Sequence, residues 1–218
     1  PQRGFRAKAV RSVIAIIDYQ AGNLRSVELA FARVGARAVI TGDPAVIAAA
    51  DGAVLPGVGA FGDAMDALRR SGLIPAIRAF AGSGRPFLGI CLGMQALFDE
   101  SEEGRGTRGL GLIPGQVRRL PDCGLKIPHI GWNSLAPQKK SPLLGGLDQG
   151  GEIYAYFVHS YACCPDGEED VLTVTEYGIP FASAVERGNV MGVQFHPEKS
   201  GDDGQRMLSN FAAMTGGR

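Results

Sequence analysis

A cysteine stands between two glycines in the segment PFLGICLGMQALF, residues 86–98. The first half of this segment has the pattern of a buried strand and the second half that of a helix. Gly89 and Gly93 flank Cys91 at the spacing of a nucleophile elbow, where glycines permit a sharp turn and close packing. A thiol at such a corner lies at the positive end of a helix dipole, which favours the thiolate. We therefore predict that Cys91 is a nucleophile; the alternative is a small buried cysteine in a core helix.

A cysteine nucleophile needs a proton acceptor, usually a histidine that a third group orients. His196 ends the apolar run VMGVQF, and Glu198 follows two residues later. In an extended chain these two side chains point the same way, so the carboxylate can meet the imidazole. We predict that His196 is the base and that Glu198 orients it; the alternative is a strand-end histidine beside a solvated glutamate. Of the other histidines, His159 suits support of the substrate pocket, and His129 receives no chemical role.

The glycine-rich segment PGVGAFG, residues 56–62, follows a third apolar run. It can present the N–H of Gly57 or Val58 to a developing oxyanion at the same edge of the sheet. As a phosphate-binding loop it is poor, because it lacks GK[ST] and the third glycine of the dinucleotide pattern. The alternative is a plain turn between a strand and a helix.

The elements that would position these residues alternate along the first half of the chain. Apolar runs at 13–17, 37–40, 53–56 and 86–90 predict strands, and the segments between them predict helices. This order is typical of a doubly wound α/β sheet with parallel central strands. The second half carries a series of strand-like runs and a final helix over about 203–214. The sequence thus predicts one α/β domain with a mostly parallel central sheet flanked by helices and an antiparallel extension.

Composition narrows the class of protein. The chain has 218 residues, and Lys+Arg and Asp+Glu both number 22, so no net charge favours binding of nucleic acid or a membrane. The first apolar run is too short for a signal peptide or a membrane span, and residues 1–11 are interpreted as a flexible extension. The four cysteines lack CxxC spacing and metal-ligand spacing with the histidines. We expect free thiols in a reducing cytosol and no metal.

Together, PGVGAFG, GICLGMQ, FVHSY and GVQFHPEKS, in this order and spacing, resemble the class I (triad-type) glutamine amidotransferases. The motifs GMQ, HPEKS, GWN (131–133) and DYxxGNLRSV (18–27) are similar to the glutaminase subunits of imidazole glycerol phosphate synthase. The resemblance covers about residues 13–214. It implies a flavodoxin-like amidotransferase domain over 12–218, no cofactor, and attack of the Cys91 sulfur on the side-chain amide of glutamine.

The resemblance also implies roles for further residues. Leu92 would supply one oxyanion N–H beside the 57–58 peptide. Glutamine would be bound by Gly59, Gln95, Glu103, Ser160 and Tyr161. Ammonia would pass to a HisF-type (β/α)8-barrel cyclase subunit, forming a heterodimer of the histidine pathway, in the cytoplasm. The expected interface residues are Asn23, Trp132, Tyr156 and Lys199.

Alternatives remain open at this point. Gln95 could simply belong to a polar helix face, and Glu103 to a solvated run of charges. Trp132 could be a core residue. The acceptor of ammonia could instead belong to anthranilate, carbamoyl phosphate, guanylate or pyridoxal phosphate synthesis. A regulatory subunit without catalysis is a third reading, against which the intact Cys91, His196 and Glu198 argue. One departure from the family stands out, because Gln20 occupies a position where glycine is usual.

Overall fold

The computed structural model describes residues 12–20, 22–104, 106–147 and 151–216. The predicted extension, residues 1–11, lies outside the described residues. The strands are β1 (Val13–Ile17), β2 (Arg37–Thr41), β3 (Gly52–Gly57), β4 (Phe87–Cys91), β5 (Glu100–Ser101), β6 (Thr107–Arg108), β7 (Gly115–Arg119), β8 (His129–Pro137), β9 (Ile153–His159), β10 (Tyr161–Pro165), β11 (Val171–Glu176), β12 (Pro180–Arg187) and β13 (Val190–Val193). The helices are α1 (Leu24–Arg33), α2 (Pro44–Ala49), α3 (Phe61–Arg70), α4 (Ile74–Ala81), α5 (Leu92–Ala96) and α6 (Gly201–Thr215).

The central sheet has a parallel half and an antiparallel half. Strands β2, β1, β3, β4 and β13 lie side by side in that order, and each neighbouring pair is parallel. The sheet continues with β12, β10 and β7, which pair antiparallel. An antiparallel β8–β9 hairpin joins this half through β11. The predicted fold class is confirmed.

Apolar side chains bury both faces of the parallel half, as expected for strands with helices on either side. Alternate residues of β1 point to opposite faces: Ala15 and Ile17 join one core, and Ile14 and Ile16 join the other. Helices α2, α3, α4 and α5 cover the first face, and α1 and α6 cover the second. Among the helices of the described ranges, none combines the length and apolar character needed to cross a bilayer.

Two element boundaries differ from the sequence-based expectation. The run EIYAYFVHSY divides at Ser160 into β9 and β10, so Cys163 and Cys164 lie within a strand. Helix α5 ends at Ala96, earlier than the pattern suggests, because the carbonyls of Ala96 and Leu97 accept hydrogen bonds from residues 110–113. These distant partners replace the next helical turn, which no local pattern can indicate.

The turn after β1 carries the unusual glutamine. Gln20 has φ +66°, and its N–H donates to Asp18 Oδ1 at 2.8 Å. The left-handed conformation costs a residue with a side chain roughly 1–2 kcal/mol. Gln20 therefore adopts a conformation that glycine, the usual residue at this position, would adopt without this cost.

Replacing Gln20 with glycine should raise the free energy of unfolding by about 0.5 kcal/mol. The relief of strain exceeds the roughly 0.5–1 kcal/mol of extra chain entropy that glycine loses on folding. Urea unfolding measures the difference, and Gln138→Gly, at an exposed glutamine outside such a turn, should lower stability. An equal loss in both variants would contradict the prediction.

Candidate active site

Cys91 sits at a strained corner between β4 and α5, with φ 56° and ψ −112°. The glycines beside it are required by close packing. A Cβ at Gly89 would lie 2.6 Å from the carbonyl oxygen of Gly93, and one at Gly93 would lie 1.7 Å from the carbonyl oxygen of Leu55. Helix α5 therefore presses directly against strands β3 and β4. The predicted elbow is present, and it holds the backbone of Cys91 in a conformation that residues other than glycine seldom adopt.

Three parallel strands end next to one another and gather the predicted chemistry at one edge. Gly57, the last residue of β3, pairs with Cys91 at the end of β4. Strand β13 pairs with β4 on the other side and ends at Val193, and His196 follows shortly after. Open α/β sheets bind ligands at this carboxyl edge, so the register of the sheet brings the predicted nucleophile and base together.

Glu198 contacts the imidazole of His196, but through a different backbone conformation from the one that the sequence analysis assumed. His196 Nδ1 and Glu198 Oε1 are 2.8 Å apart, and both side chains are almost fully buried. The segment is not extended: Pro197–Lys199 forms a single 3-10 turn that bends the carboxylate back under the ring. The His196 N–H donates to the Tyr156 carbonyl at 2.9 Å, which ties the turn to β9. The extended-chain argument was wrong, although the contact it predicted is made.

The protonation of His196 depends on its two acidic neighbours. Burial alone would lower its pKa, but the neighbouring Cys91 and the hydrogen-bonded Glu198 raise the pKa to about 9. Because Glu198 occupies Nδ1, Nε2 is the ring atom left for the cysteine proton. Within the described residues, His196 Nε2 and Glu198 Oε2 are the buried side-chain atoms without a hydrogen-bond partner. The two acidic neighbours therefore favour the protonated form of His196.

The predicted oxyanion donors flank the nucleophile. Leu92 is the first residue of α5, so its N–H has no partner within the helix. Val58 lines the pocket over Cys91 and is 45% exposed. Gly57 lies deeper, where an added Cβ would come within 2.7 Å of the Tyr19 hydroxyl. It lines a small cavity behind the triad instead of the pocket itself.

A pocket of about 290 Å³ opens in front of Cys91. It contains every substrate-binding residue that the family resemblance implied, together with Pro128, Val158 and His159, which it did not. The lining residues are Val58, Gly59, Cys91, Leu92, Gln95, Glu103, Pro128, Val158, His159, Ser160, Tyr161 and His196. Gly59 has φ +95°, so a glycine is needed at this point of the wall.

Two polar residues of the pocket already have partners within the protein. Gln95 is buried, and its amide nitrogen donates to the Tyr161 carbonyl and to Gln194 Oε1. Glu103 Oε2 accepts from the N–H of Phe61 at the start of α3, at 2.9 Å. Because Gln95 is buried, the alternative of a polar helix face is wrong for that residue, whereas Glu103 is only partly buried. Their roles toward glutamine stay predictions.

Gln194 is a site residue that the sequence interpretation missed. Its side chain is fully buried, and Nε2 lies 3.7 Å from Cys91 Sγ. A weak signal was available, because Gln194 is the one polar residue in the run VMGVQF and precedes His196 by two positions. In an isolated strand-like run, a buried glutamine does not reveal which atom it faces.

The other two histidines form a buried pair beside the pocket. His129 Nδ1 and His159 Nε2 are 3.0 Å apart, and His159 Nδ1 is 2.9 Å from the Tyr161 carbonyl. His129 stacks between Phe157 and Tyr177. Burial lowers the pKa of each to about 4. Support of the pocket by His159 agrees with this geometry, whereas His129, to which no role was given, is its direct partner.

The pair should make the protein less stable in mild acid. The unfolded chain binds protons on both histidines below about pH 6.5, whereas the folded protein does so only near pH 4. Stability is therefore lost as the pH falls through this window, by at most roughly 3 kcal/mol for each histidine. Urea unfolding between pH 7.5 and 4.5 measures the slope. His129→Phe should show a shallower slope than the wild type, and equal slopes would contradict the prediction.

The expected interface residues are all at least partly exposed. Trp132 is 57% exposed and pairs across the β8–β9 hairpin with Tyr156, at 6.2 Å between ring centroids. The core alternative for Trp132 is therefore wrong. Asn23 and Lys199 are exposed, and Asn23 lines the small cavity with His196 and Glu198.

The cysteines are unpaired, and the structure shows no cluster of metal ligands among the described residues. Cys91, Cys123, Cys163 and Cys164 are all free thiols. In the part of the chain that the structure describes, no three or more His, Cys, Asp or Glu side chains are grouped to hold a metal ion.

Comparison with known proteins gives a family and several relatives. The family described as glutamine amidotransferase class-I matches residues 15–214. The imidazole glycerol phosphate synthase subunit HisH of Moorella thermoacetica is 52% identical over 201 residues, covering 92% of this chain and 94% of that protein. The protein of the same name from Syntrophotalea carbinolica is 51% identical over 208 residues, covering 93% and 100%.

Solved structures agree with the fold. A crystal structure of a glutamine amidotransferase superposes with a TM-score of 0.72 at 21% identity, covering 93% of this chain and 98% of that one. The structure of PurLQS from Thermotoga maritima gives a TM-score of 0.74 at 20% identity, with coverage of 93% and 98%.

Proposed function

Since this chain belongs to the class I glutamine amidotransferases, we propose that it is the glutaminase subunit of an imidazole glycerol phosphate synthase. It hydrolyses glutamine and supplies the ammonia to a cyclase subunit in histidine biosynthesis. One observation carries the proposal: Cys91 and His196 line the same pocket of about 290 Å³, and Glu198 contacts the imidazole of His196 from outside that pocket. The relatives that share about half of the sequence over nearly the whole chain carry that name.

The proposed reaction begins with the Cys91 thiolate attacking the amide carbon of glutamine. The N–H of Leu92 and one N–H of the 57–58 peptide stabilise the oxyanion that develops. The His196 imidazolium gives its proton to the departing ammonia, while Glu198 keeps the ring oriented. Water, deprotonated by His196, then cleaves the glutamyl thioester and releases glutamate. The proposed reaction uses no cofactor.

We propose that ammonia leaves on the side of Asn23. The small cavity behind the triad has room for about one water-sized molecule, at about 10 Å³. It lies between the triad and an expected interface residue, so a molecule released at His196 has a short path toward the partner. Release into bulk water would instead convert most ammonia to ammonium, which is no longer a nucleophile.

The surface that would receive the cyclase is apolar. On the outer face of the β8–β9 hairpin, Ile130 pairs with Val158 and Trp132 with Tyr156. Ile130 is 56% exposed, and Val158 37%. Contiguous exposed apolar side chains mark interaction sites, and a central tryptophan is a frequent anchor. The Tyr156 carbonyl accepts a hydrogen bond from the backbone N–H of His196. Docking of the cyclase on this face would therefore affect the position of His196.

The test is a glutaminase assay of the chain alone, with a (β/α)8-barrel cyclase subunit, and with cyclase plus its phosphoribulosyl-formimino carboxamide nucleotide. We expect weak activity alone and a rise of about 100-fold or more with both partners, through rotation of the 57–58 peptide into the oxyanion site. Trp132→Ala should weaken the complex by at least about tenfold, and Val46→Ala, at an exposed position on α2, should not. Full activity of the isolated chain would refute gating by the cyclase.

The same experiment separates the remaining alternatives. Failure of the cyclase to bind, with activation by a different synthase, would move the acceptor to another pathway. The proposal places the chain in the cytoplasm, where this pathway and its reduced thiols would be found, and treats residues 12–218 as one amidotransferase domain.

A further inference from the structure

A single backbone carbonyl organises the polar groups on the far side of the nucleophile. The carbonyl oxygen of Tyr161, at the start of β10, accepts two hydrogen bonds. One comes from Gln95 Nε2 at 3.1 Å and the other from His159 Nδ1 at 2.9 Å. A carbonyl accepts and never donates, so it decides which way both side chains face.

The first consequence runs from Tyr161 to the sulfur. Gln95 must turn its NH2 group toward the carbonyl, and the second hydrogen of that group reaches Gln194 Oε1 at 3.0 Å. Gln194 then has its oxygen toward Gln95 and its NH2 group toward Cys91 Sγ, at 3.7 Å. Gln95 and Gln194 are buried, and the Gln194 backbone N–H is held by the Ser183 carbonyl. The sulfur thus faces a donor, not an acceptor.

The second consequence runs from Tyr161 to the hairpin. His159 carries its proton on Nδ1, so Nε2 of the neutral ring accepts from His129 Nδ1 at 3.0 Å. Nε2 of His129 is then an acceptor, 3.4 Å from the Asn133 amide nitrogen. The Asn133 amide cannot reverse without cost, because its Oδ1 accepts from the N–H of Ser134 and its Nδ2 donates to the Glu176 carbonyl. Every donor meets an acceptor along the whole path.

We propose that Gln194 is a further catalytic residue, whose amide donates an N–H···S hydrogen bond to the Cys91 thiolate. We also propose that His129 and His159 are positioning residues, which hold the Tyr161 carbonyl and through it the polarity of Gln95 and Gln194. The inference rests on Cys91 being the nucleophile. A hydrogen bond to an ionised group is about twice as strong as one between neutral groups, so the donor stabilises the thiolate more than the thiol. It also holds the sulfur in one position beside His196.

The experiment is the pH profile of alkylation of Cys91 by iodoacetamide, read by mass spectrometry without glutamine or cyclase. In Gln194→Leu, we expect the pH of half-maximal alkylation to rise by about one unit and kcat/KM to fall about tenfold. Gln194→Glu places a negative charge beside the sulfur, so its pH of half-maximal alkylation should rise further than that of Gln194→Leu. Gln138→Leu, at an exposed glutamine away from the pocket, should keep the wild-type profile. An unchanged profile in folded Gln194→Leu would overturn the proposal.

The positioning role has a readout that a merely structural role would leave unchanged. In His159→Phe, the half-point of alkylation should rise by about half a unit, because the Tyr161 carbonyl loses one of its two donors and holds Gln95 and Gln194 less firmly. In the wild-type protein, nitrogen-15 spectra of labelled histidine should show protonation on Nδ1 in both His129 and His159. Protonation on Nε2 in either ring would overturn the relay even if a variant failed to fold. If Cys91 alkylated no faster than Cys164 in the wild type, the nucleophile assignment itself would fail, which is a different result.

Discussion

Alanine at position 91 should reduce glutamine hydrolysis by about ten-thousand-fold or more, because no other group can form the thioester. Cys91 lies on the pocket wall with His196, and none of the other three cysteines, all of which the structure describes, lines that pocket. The substitution removes one buried sulfur and leaves the outer hairpin untouched, so binding to the cyclase should be preserved. Glutamate release and co-elution with the cyclase measure the two effects separately.

The matched control for Cys91→Ala is Cys164→Ala. Cys164 is an exposed thiol on β10 that does not line the active-site pocket, so its loss should leave the rate unchanged. Retained hydrolysis in Cys91→Ala would refute the nucleophile assignment. Loss of cyclase binding in that variant would instead show that the elbow and the docking face are structurally coupled.

Gly93→Ala should destabilise the protein by at least about 4 kcal/mol, which is at the extreme of single substitutions. The new Cβ would lie 1.7 Å from the Leu55 carbonyl oxygen and 2.8 Å from its carbon. Both atoms belong to the backbone of β3, in the middle of the sheet, so no rotamer change relieves the overlap. Helix α5 would have to leave β3, displacing the N–H of Leu92 and the thiol of Cys91 together.

Gly82→Ala is the control for this second effect. Gly82 follows α4 in helical conformation, with φ −72°, and an added Cβ would be 3.4 Å from the nearest atom, the Arg78 carbonyl oxygen. Its free energy of unfolding, measured in urea, should stay within about 0.5 kcal/mol of the wild-type value. A Gly93→Ala protein with wild-type stability would show that α5 is less tightly packed on β3 than the structure indicates.

Much of the fold followed from patterns that are local in the chain. Buried parallel strands read as continuous apolar runs, so β1, β3 and β4 were visible in VIAII, AVLP and PFLGI. Helix α2 begins with residues typical of a helix start, since the Asp43 side chain caps it and Pro44 is its first residue. The length of α5 and the division between β9 and β10 escaped notice, since both depend on hydrogen bonds from remote segments.

For the site, the sequence by itself determined the residue types that can attack, accept a proton and orient a base: Cys91, His196 and Glu198. It also indicated the glycines at the corner of Cys91, whereas the contact that makes Gly93 necessary, with the Leu55 carbonyl of β3, exists only in the folded chain. Only the tertiary structure decided that Glu198 reaches His196 through a 3-10 turn, that Gln194 faces the sulfur, and that His129 and His159 form one pair. The direction of a hydrogen bond depends on a partner that is distant in the chain, and the spacing of residues in the sequence does not identify that partner.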